Sequence, residues 1–209
     1  MLGIEHYELF LLSGVLLNLT PGTDTLYILS RTVAQGKSEG LMSAAGINCG
    51  ALIHTLFAAF GLSVVLMQSA LAFNLVKWIG AAYLIYMGIK SIRTRSNPFE
   101  LQHMGQAKKH KLFFQGMLTN VLNPKVALFF LAFMPQFIDP EHTSGALPFI
   151  ILGLTFIVTG SIWNIILVLC SSWMTRRLRS SVNFSKYLNK LTGVIFVGLG
   201  IKLLRTSRS

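Results

Sequence analysis

Apolar residues gather along this chain in six long blocks, at about Ile4–Val33, Leu41–Gln68, Leu71–Ile92, Leu112–Phe137, Leu147–Trp173 and Tyr187–Leu204. Blocks of that length approach or exceed the roughly 20 residues a helix needs to cross a hydrocarbon core, so the pattern predicts six transmembrane helices. Connections are short except for the polar, basic stretch Arg93–Lys111. The first block would make a helix about 45 Å long against a core of about 30 Å, so it has to tilt or break.

Its polar positions say where. The stretch NLTPGTDTLYIL, Asn18 to Leu29, interrupts the apolar run with a proline, a glycine and a carboxylate. The fourth block is interrupted by Asn123-Pro124-Lys125. Thr and Asn are good helix N-caps, and proline is favoured at the first helical position, where its missing N–H is not needed. Thr20-Pro21 and Asn123-Pro124 therefore predict helices that restart within the membrane. Irregular backbone at that depth is tolerated only where it is buried in protein or lines a cavity. Either proline alone reads as a kink that shapes the bundle. A matched pair, each with a cap and a charge, points to a site where positive helix ends face a substrate carboxylate.

Two charges stand at these breaks. Of seven acids, Asp24 alone lies deep within a block, and Lys125 is the only Lys or Arg so placed. An intramembrane charge costs roughly 3 kcal/mol on the lenient insertion scale, so it faces the interior and has a task. Asp24 is a candidate proton carrier and substrate ligand; the structural alternative is a carboxylate that complements the first helical turn and stays ionised. Lys125 follows a helix start, where a cation is unfavourable and needs an offset. The expectation is an Asp24–Lys125 ion pair that the substrate opens, Lys125 meeting its carboxylate and Asp24 its amino group. In the second block Asn48 and His54 lie among apolar residues but about 240° apart around a helix, so they do not share a face. His54 reads either as an interhelical hydrogen-bond donor or as a proton relay. Asn164, beside Trp163, is the nearest counterpart in the second half; Thr155, Thr159 and Ser161 on the same helix read as packing contacts, and Phe129, Phe130 and Phe133 as lipid-facing or core residues. The candidate substrate residues are thus Thr20, Pro21, Gly22, Asp24, Asn48, Asn120, Asn123, Pro124, Lys125 and Asn164, with Asp24 and His54 for proton coupling.

Composition agrees with the pattern. The chain has 209 residues, 53% hydrophobic and 12% charged, about half the charge of a soluble domain. The net charge of +11 does not signal nucleic acid, because no basic face is interleaved with exposed aromatics. Thirteen Lys and Arg are assigned to the connections after the first, third and fifth blocks, Arg31 and Lys37 to the first of these, against four on the opposite side. That bias puts these connections in the cytoplasm and both termini outside; the basic C-terminus disagrees. Cys49 and Cys170 read as small core residues, and no metal or cofactor is expected. The amino-terminal residues lack the basic region of a signal peptide.

An internal repeat bears on that disagreement. GIKSIRT (Gly88–Thr94) ends the third block and GIKLLRT (Gly200–Thr206) the sixth, with five identities in seven. The breaks match too, each preceded by an asparagine, Asn18 and Asn120. Because three helices is an odd number, two such halves lie oppositely in the membrane, as in many transporters. The expected fold is an all-α polytopic membrane protein, six transmembrane helices in two inverted three-helix repeats (residues 1–95 and 112–209) joined by a basic cytoplasmic linker (96–111), with broken first and fourth helices.

These motifs, with GINCG, KWIGAAYLIYMGIKSIRT, GMLTNVLNPKVALFFLAFMPQFIDP and GVIFVGLGIKLL, resemble the lysine-exporter superfamily over nearly the whole chain, and most of all its homoserine/threonine-resistance (RhtB-type) branch. The resemblance implies a bacterial inner-membrane exporter of amino acids, small neutral ones such as threonine, homoserine or leucine, or close derivatives, driven by proton influx. Its partners would be the substrate, protons and the lipid bilayer, with homo-oligomerisation left open. The family signature maps onto Pro21, Gly22, Asp24, Asn120, Asn123, Pro124 and Lys125. Thr23 departs from the usual second proline, which loosens the break and adds a hydroxyl. Two other classes compete. Against an intramembrane enzyme, Leu11-Leu12-Ser13-Gly14 lacks the leading glycine of a G-x-S-G nucleophile site, and no H-E-x-x-H or pair of carboxylates lies within a block. A channel or structural subunit without coupled transport would be expected to show rings of charge or a carbonyl filter.

Overall fold

The computed structural model of the chain describes residues 3–62, 106–139 and 145–171, and single positions within 75–93 and at 173–204. The helices are α1 (Tyr7–Leu19), α2 (Thr23–Gln35), α3 (Lys37–Phe57, continued by a π-helical turn Ala58–Leu62), α4 (Lys109–Val121), α5 (Pro124–Leu128) and α6 (Leu147–Leu169). A π-helical turn Phe129–Phe133 and a 3-10 turn Met134–Phe137 extend α5. The expected third helix, Leu71–Ile92, the sixth, Tyr187–Leu204, and residues 96–105 of the linker lie largely or wholly outside the described residues.

Both anticipated breaks are present. The first block is α1 and α2, interrupted at Thr20–Gly22, and α4 meets Pro124–Phe137 at a bend of 48°. Among the described residues α6 and the α3 segment Lys37–Gly61 are long and apolar enough to cross a membrane, and the bent pair makes a third crossing if counted as one span. With a rise of 1.5 Å per residue, α6 is about 35 Å long, matching a hydrocarbon core without a break.

Large apolar side chains meet where these segments cross. Phe10 and Leu17 of α1, Phe129, Phe130 and Phe133 beyond α5, and Phe149, Leu152 and Phe156 of α6 are buried in one cluster. The three phenylalanines after the second break are therefore core residues. Leu12, Phe57, Leu118, Val158 and Ile162 are exposed, the apolar exterior expected of a chain whose solvent is lipid. Cys170 belongs with them. It is exposed, and Cys49 is half-buried, so the core placement expected for both is corrected.

Small residues set the closest approaches. A Cβ on Gly46 would collide with the Phe113 carbonyl, and one on Gly50 would lie 2.7 Å from the Asn120 Cβ, so α3 and α4 touch backbone to backbone. Among the single described positions, a Cβ on Gly88 would come within 2.7 Å of the Gly193 carbonyl and of Val197, and one on Gly200 within 2.7 Å of Ile85 and 3.0 Å of the Ala81 carbonyl. Gly46→Ala is expected to cost about 1–3 kcal/mol by overpacking against an unyielding backbone. Gly14→Ala, whose Cβ would rest 3.4 Å from the Phe156 ring, should be neutral or slightly stabilising. Unfolding midpoints of the two variants in the same lipid check this; equal midpoints would contradict the predicted contact.

Among the described residues, basic and acidic groups gather at separate places. The Gln35 amide is paired with the backbone N–H and C=O of Ala107, at 3.1 and 2.9 Å, which brings the Lys37 connection beside Lys108, Lys109 and Lys111. At another place Glu5 N–H donates to the Phe137 carbonyl and Asp139 N–H to the Gly3 carbonyl, gathering acidic residues. Arg31, assigned above to a connection, is inside α2 and buried. Its guanidinium donates to Gln35 and Gln115 at 3.2 and 2.9 Å and lies 5.6 Å from the Tyr27 ring centre. Lys125 is therefore not the only basic residue drawn into the bundle.

Candidate functional site

A helical carbonyl accepts from the N–H four residues later, so each proline leaves one carbonyl wanting. Pro21 cannot donate to the Leu17 carbonyl. Thr20 N–H reaches it at 3.2 Å, and Lys125 adds a second donor from the other half of the chain, its Nζ lying 3.0 Å from both the Leu17 and the Thr20 carbonyls. The expectation that Thr20 caps the restarting helix, with Pro21 in its first position, is corrected. Thr20 closes α1, its hydroxyl donating back to the Leu16 carbonyl at 2.8 Å, and Gly22 is the N-cap of α2. The hydroxyl had two local options, the carbonyl one turn behind or the amides ahead, and took the first.

Pro124 has the same effect on the Asn120 carbonyl, which accepts from Asn123 N–H at 2.9 Å and from His54 Nε2 at 3.2 Å. Here the anticipated cap is formed. Asn123 Oδ1 accepts from Lys125 N–H at 3.1 Å, with Pro124 in the first turn of α5. That bond orients the Asn123 amide so that its Nδ2 donates to Asp24 Oδ1 at 3.0 Å, while Asn120 Nδ2 donates to Asp24 Oδ2 at 2.8 Å. The first break thus carries a carboxylate held by amides of the second break, and the second carries an ammonium held by carbonyls of the first.

The direct Asp24–Lys125 ion pair is not formed. Asp24 is held by the two asparagine amides, with Thr23 Oγ1 at 3.4 Å, and Lys125 Nζ by the two carbonyls. The reason is electrostatic. The carboxyl end of α1 offers Lys125 the negative pole of a helix, and α2 offers Asp24 a positive one, so each charge is offset without the other.

Both groups line one cavity, with Asn18, Asn48, Asn120, Trp163 and Asn164 among its other walls. Its free volume is about 30 Å³, room for about one water. Asn48 and Asn164, far apart in sequence, meet here. Asn164 Nδ2 donates to Asn48 Oδ1 at 3.0 Å and Asn48 Nδ2 to Ser161 Oγ at 2.8 Å. Asn18 Nδ2 donates to Thr159 Oγ1 at 3.2 Å, so these two α6 hydroxyls bond wall residues of the cavity. Two buried polar atoms of lining residues, Asn120 Oδ1 and Trp163 Nε1, have no hydrogen-bond partner in this state. Of the other expected residues, Thr20, Pro21, Gly22, Asn123 and Pro124 shape the breaks rather than the cavity wall, and His54 stands behind Asn120. Asn18, Trp163 and Gly160 are wall residues the sequence reading did not select. An amide in an otherwise apolar helix was the available signal for Asn18; none marked Gly160. Among the described residues no cluster of three or more His, Cys, Asp or Glu could hold a metal ion.

Comparison with known proteins matches residues 15–207 to the family model described as LysE type translocator. The chain is 35% identical over 192 residues to an uncharacterized membrane protein, YrhP, of Bacillus subtilis, covering 87% of this chain and 90% of that protein. It is 34% identical over 206 residues to an uncharacterized membrane protein of Vibrio cholerae, covering 99% of each. A leucine efflux protein of Klebsiella pneumoniae is 30% identical over 202 residues, covering 96% of this chain and 95% of that protein. No solved structure matches.

Proposed function

The chain belongs to the LysE type translocator family, and from that membership we propose that it exports a small neutral amino acid, or a close derivative, across the bacterial inner membrane, coupled to proton influx. The observation that carries the substrate class is the cavity where the two breaks meet. It contains one carboxylate and one ammonium that are not bonded to each other. An amino acid's backbone charges match that pair, its ammonium replacing asparagine amides at Asp24 and its carboxylate replacing helix carbonyls at Lys125. A charged side chain would bring a third charge into the cavity with no counterpart among its lining residues, at the desolvation cost that unpaired charges carry. The leucine efflux relative is in keeping with a neutral substrate.

A free volume of about 30 Å³ is too small for an amino acid, so substrate enters only when the walls part, as alternating access requires. In this reading Asp24 carries the coupling proton, because protonation removes the charge that holds the substrate ammonium. The reading takes the architecture as two inverted repeats with both termini outside. Supporting it, the register shift that carries Gly88 onto Gly200 also carries Ala81 onto Gly193 and Ile85 onto Val197, and the close approaches at the two glycines exchange under that shift.

The test is uptake into inside-out vesicles from cells expressing the protein, with an imposed gradient acid inside. Saturable uptake of neutral amino acids, abolished by a protonophore, and little uptake of lysine, arginine or glutamate, is the expected outcome. Non-saturable flux indifferent to the gradient would instead favour a channel, and no amino-acid flux at all would remove the substrate assignment.

A further inference from the structure

The α3 face turned toward the second break presents Gly50 and His54, one helical turn apart, to a single residue. Gly50 has no side chain, and a Cβ there would lie 2.7 Å from the Asn120 Cβ and 2.9 Å from its Oδ1. The asparagine side chain is therefore seated directly on the α3 backbone. One turn on, His54 reaches the Asn120 main chain, Nε2 to carbonyl oxygen at 3.2 Å. A carbonyl oxygen only accepts, so Nε2 carries the hydrogen and the ring's tautomer follows from the bond. The ring is buried and stacks on Phe130, 5.6 Å between centres and 24° between planes, which limits its rotation.

We propose that His54 is a positioning residue of the Asp24 site: it occupies the Asn120 carbonyl that Pro124 cannot satisfy and so holds the Asn120 amide against the Asp24 carboxylate. The physical chain is short. Proline opens the helix and frees a carbonyl. Asn123 N–H takes one lone pair of that carbonyl at 2.9 Å; without His54 the other, buried in the bundle, would seek a donor by rotating the last turn of α4. Asn120 Nδ2, 2.8 Å from Asp24 Oδ2, would turn with it. With its Nε2 hydrogen committed to this carbonyl, His54 acts through Asn120, a role proposed in place of the relay considered above. Lys125 does the equivalent for the Leu17 carbonyl freed by Pro21, so both breaks are closed by a donor from another segment.

This inference rests on the reading of Asp24 as the transport site, and its test separates the two. His54→Gln keeps an N–H donor at a similar reach; His54→Leu keeps bulk and removes the donor. In lipid nanodiscs both proteins are unfolded thermally, and in inside-out vesicles each is assayed for driven uptake of the substrate amino acid over a range of pH. His54→Leu is expected to raise the apparent KM about tenfold, the loss of one buried hydrogen bond, and to lower the unfolding midpoint. His54→Gln should recover both and retain the wild-type pH profile. A His54→Gln protein that folds normally but loses driven uptake, or whose pH profile flattens, would show that the imidazole itself titrates and overturn the proposal. Wild-type kinetics in His54→Leu would overturn it as well. Should the wild type carry no amino acid, the transport reading fails by itself, and the midpoints still decide whether His54 secures the break: a lowered midpoint in His54→Leu restored in His54→Gln supports it, and equal midpoints overturn it.

Discussion

Asp24→Asn is expected to lower driven uptake by about two orders of magnitude or more while leaving the protein folded. The carboxylate accepts from Asn120 and Asn123 at 2.8 and 3.0 Å, and hydrogen bonds to a charged group contribute about 1.5–3 kcal/mol each. The variant can keep much of that local structure. Asn123 is oriented by its bond to Lys125 N–H and still finds an oxygen on the new side chain. Asn120 Oδ1 has no partner at present, so its amide can turn over and accept from the new NH2. What disappears is the charge, and with it the attraction for a substrate ammonium and the capacity to take a proton. Two assays divide these roles. Gradient-driven uptake and substrate-for-substrate exchange should both fail if Asp24 serves both. Exchange that survives when driven uptake is lost would confine Asp24 to the proton, and wild-type rates in both assays would remove it from the mechanism.

Lys125→Met should have the larger effect on stability. Methionine keeps most of the length but donates nothing, so the Leu17 and Thr20 carbonyls at the end of α1 lose the donor both now use. Each hydrogen bond from a charged donor contributes about 1.5–3 kcal/mol, and the favourable cation at a helix carboxyl end is lost too. The sum, several kcal/mol, is comparable to the marginal stability of a folded domain. Lys125→Arg keeps charge and donors and should retain more of the fold, although its planar, bulkier head cannot reproduce one ammonium 3.0 Å from two carbonyls. Unfolding midpoints in the same lipid, with surface abundance, check the order wild type, Arg, Met. A Lys125→Met protein as stable as wild type would mean that the α1 carbonyls find another donor, and that Lys125 serves the substrate alone.

The two breaks show how local and distant interactions divide the site. Asn123-Pro124 behaves as the sequence predicts, because an N-cap closes on an amide two residues away and needs nothing from elsewhere. Thr20-Pro21 has the same signal and a different outcome. Its hydroxyl turned back to Leu16, and the carbonyls beside it are closed by Lys125, more than a hundred residues on. The ion pair expected between Asp24 and Lys125 misjudged what offsets each charge, since the ends of α1 and α2 and the asparagine amides become available only after folding. Arg31 was similarly misplaced. A cation near a block's end looks like a loop residue until Gln35, Gln115 and Tyr27 are brought around it.

By itself, then, the sequence determined the membrane class, the helical segments seen in the described regions, both breaks, and the residue types that carry charge or amides at membrane depth. These follow from solvent and local backbone chemistry: lipid requires long apolar helices, and a proline lacks an N–H wherever it stands. Tertiary structure alone decided which donor meets which freed carbonyl, that Asn48 and Asn164 join in one wall with Asn18 and Trp163 nearby, and that His54 meets the Asn120 carbonyl rather than lining the cavity. Those pairings depend on small residues such as Gly46 and Gly50 that bring two helices together at one register. A hydrogen bond is formed only when its partners lie within about 3 Å, a condition set by packing between helices.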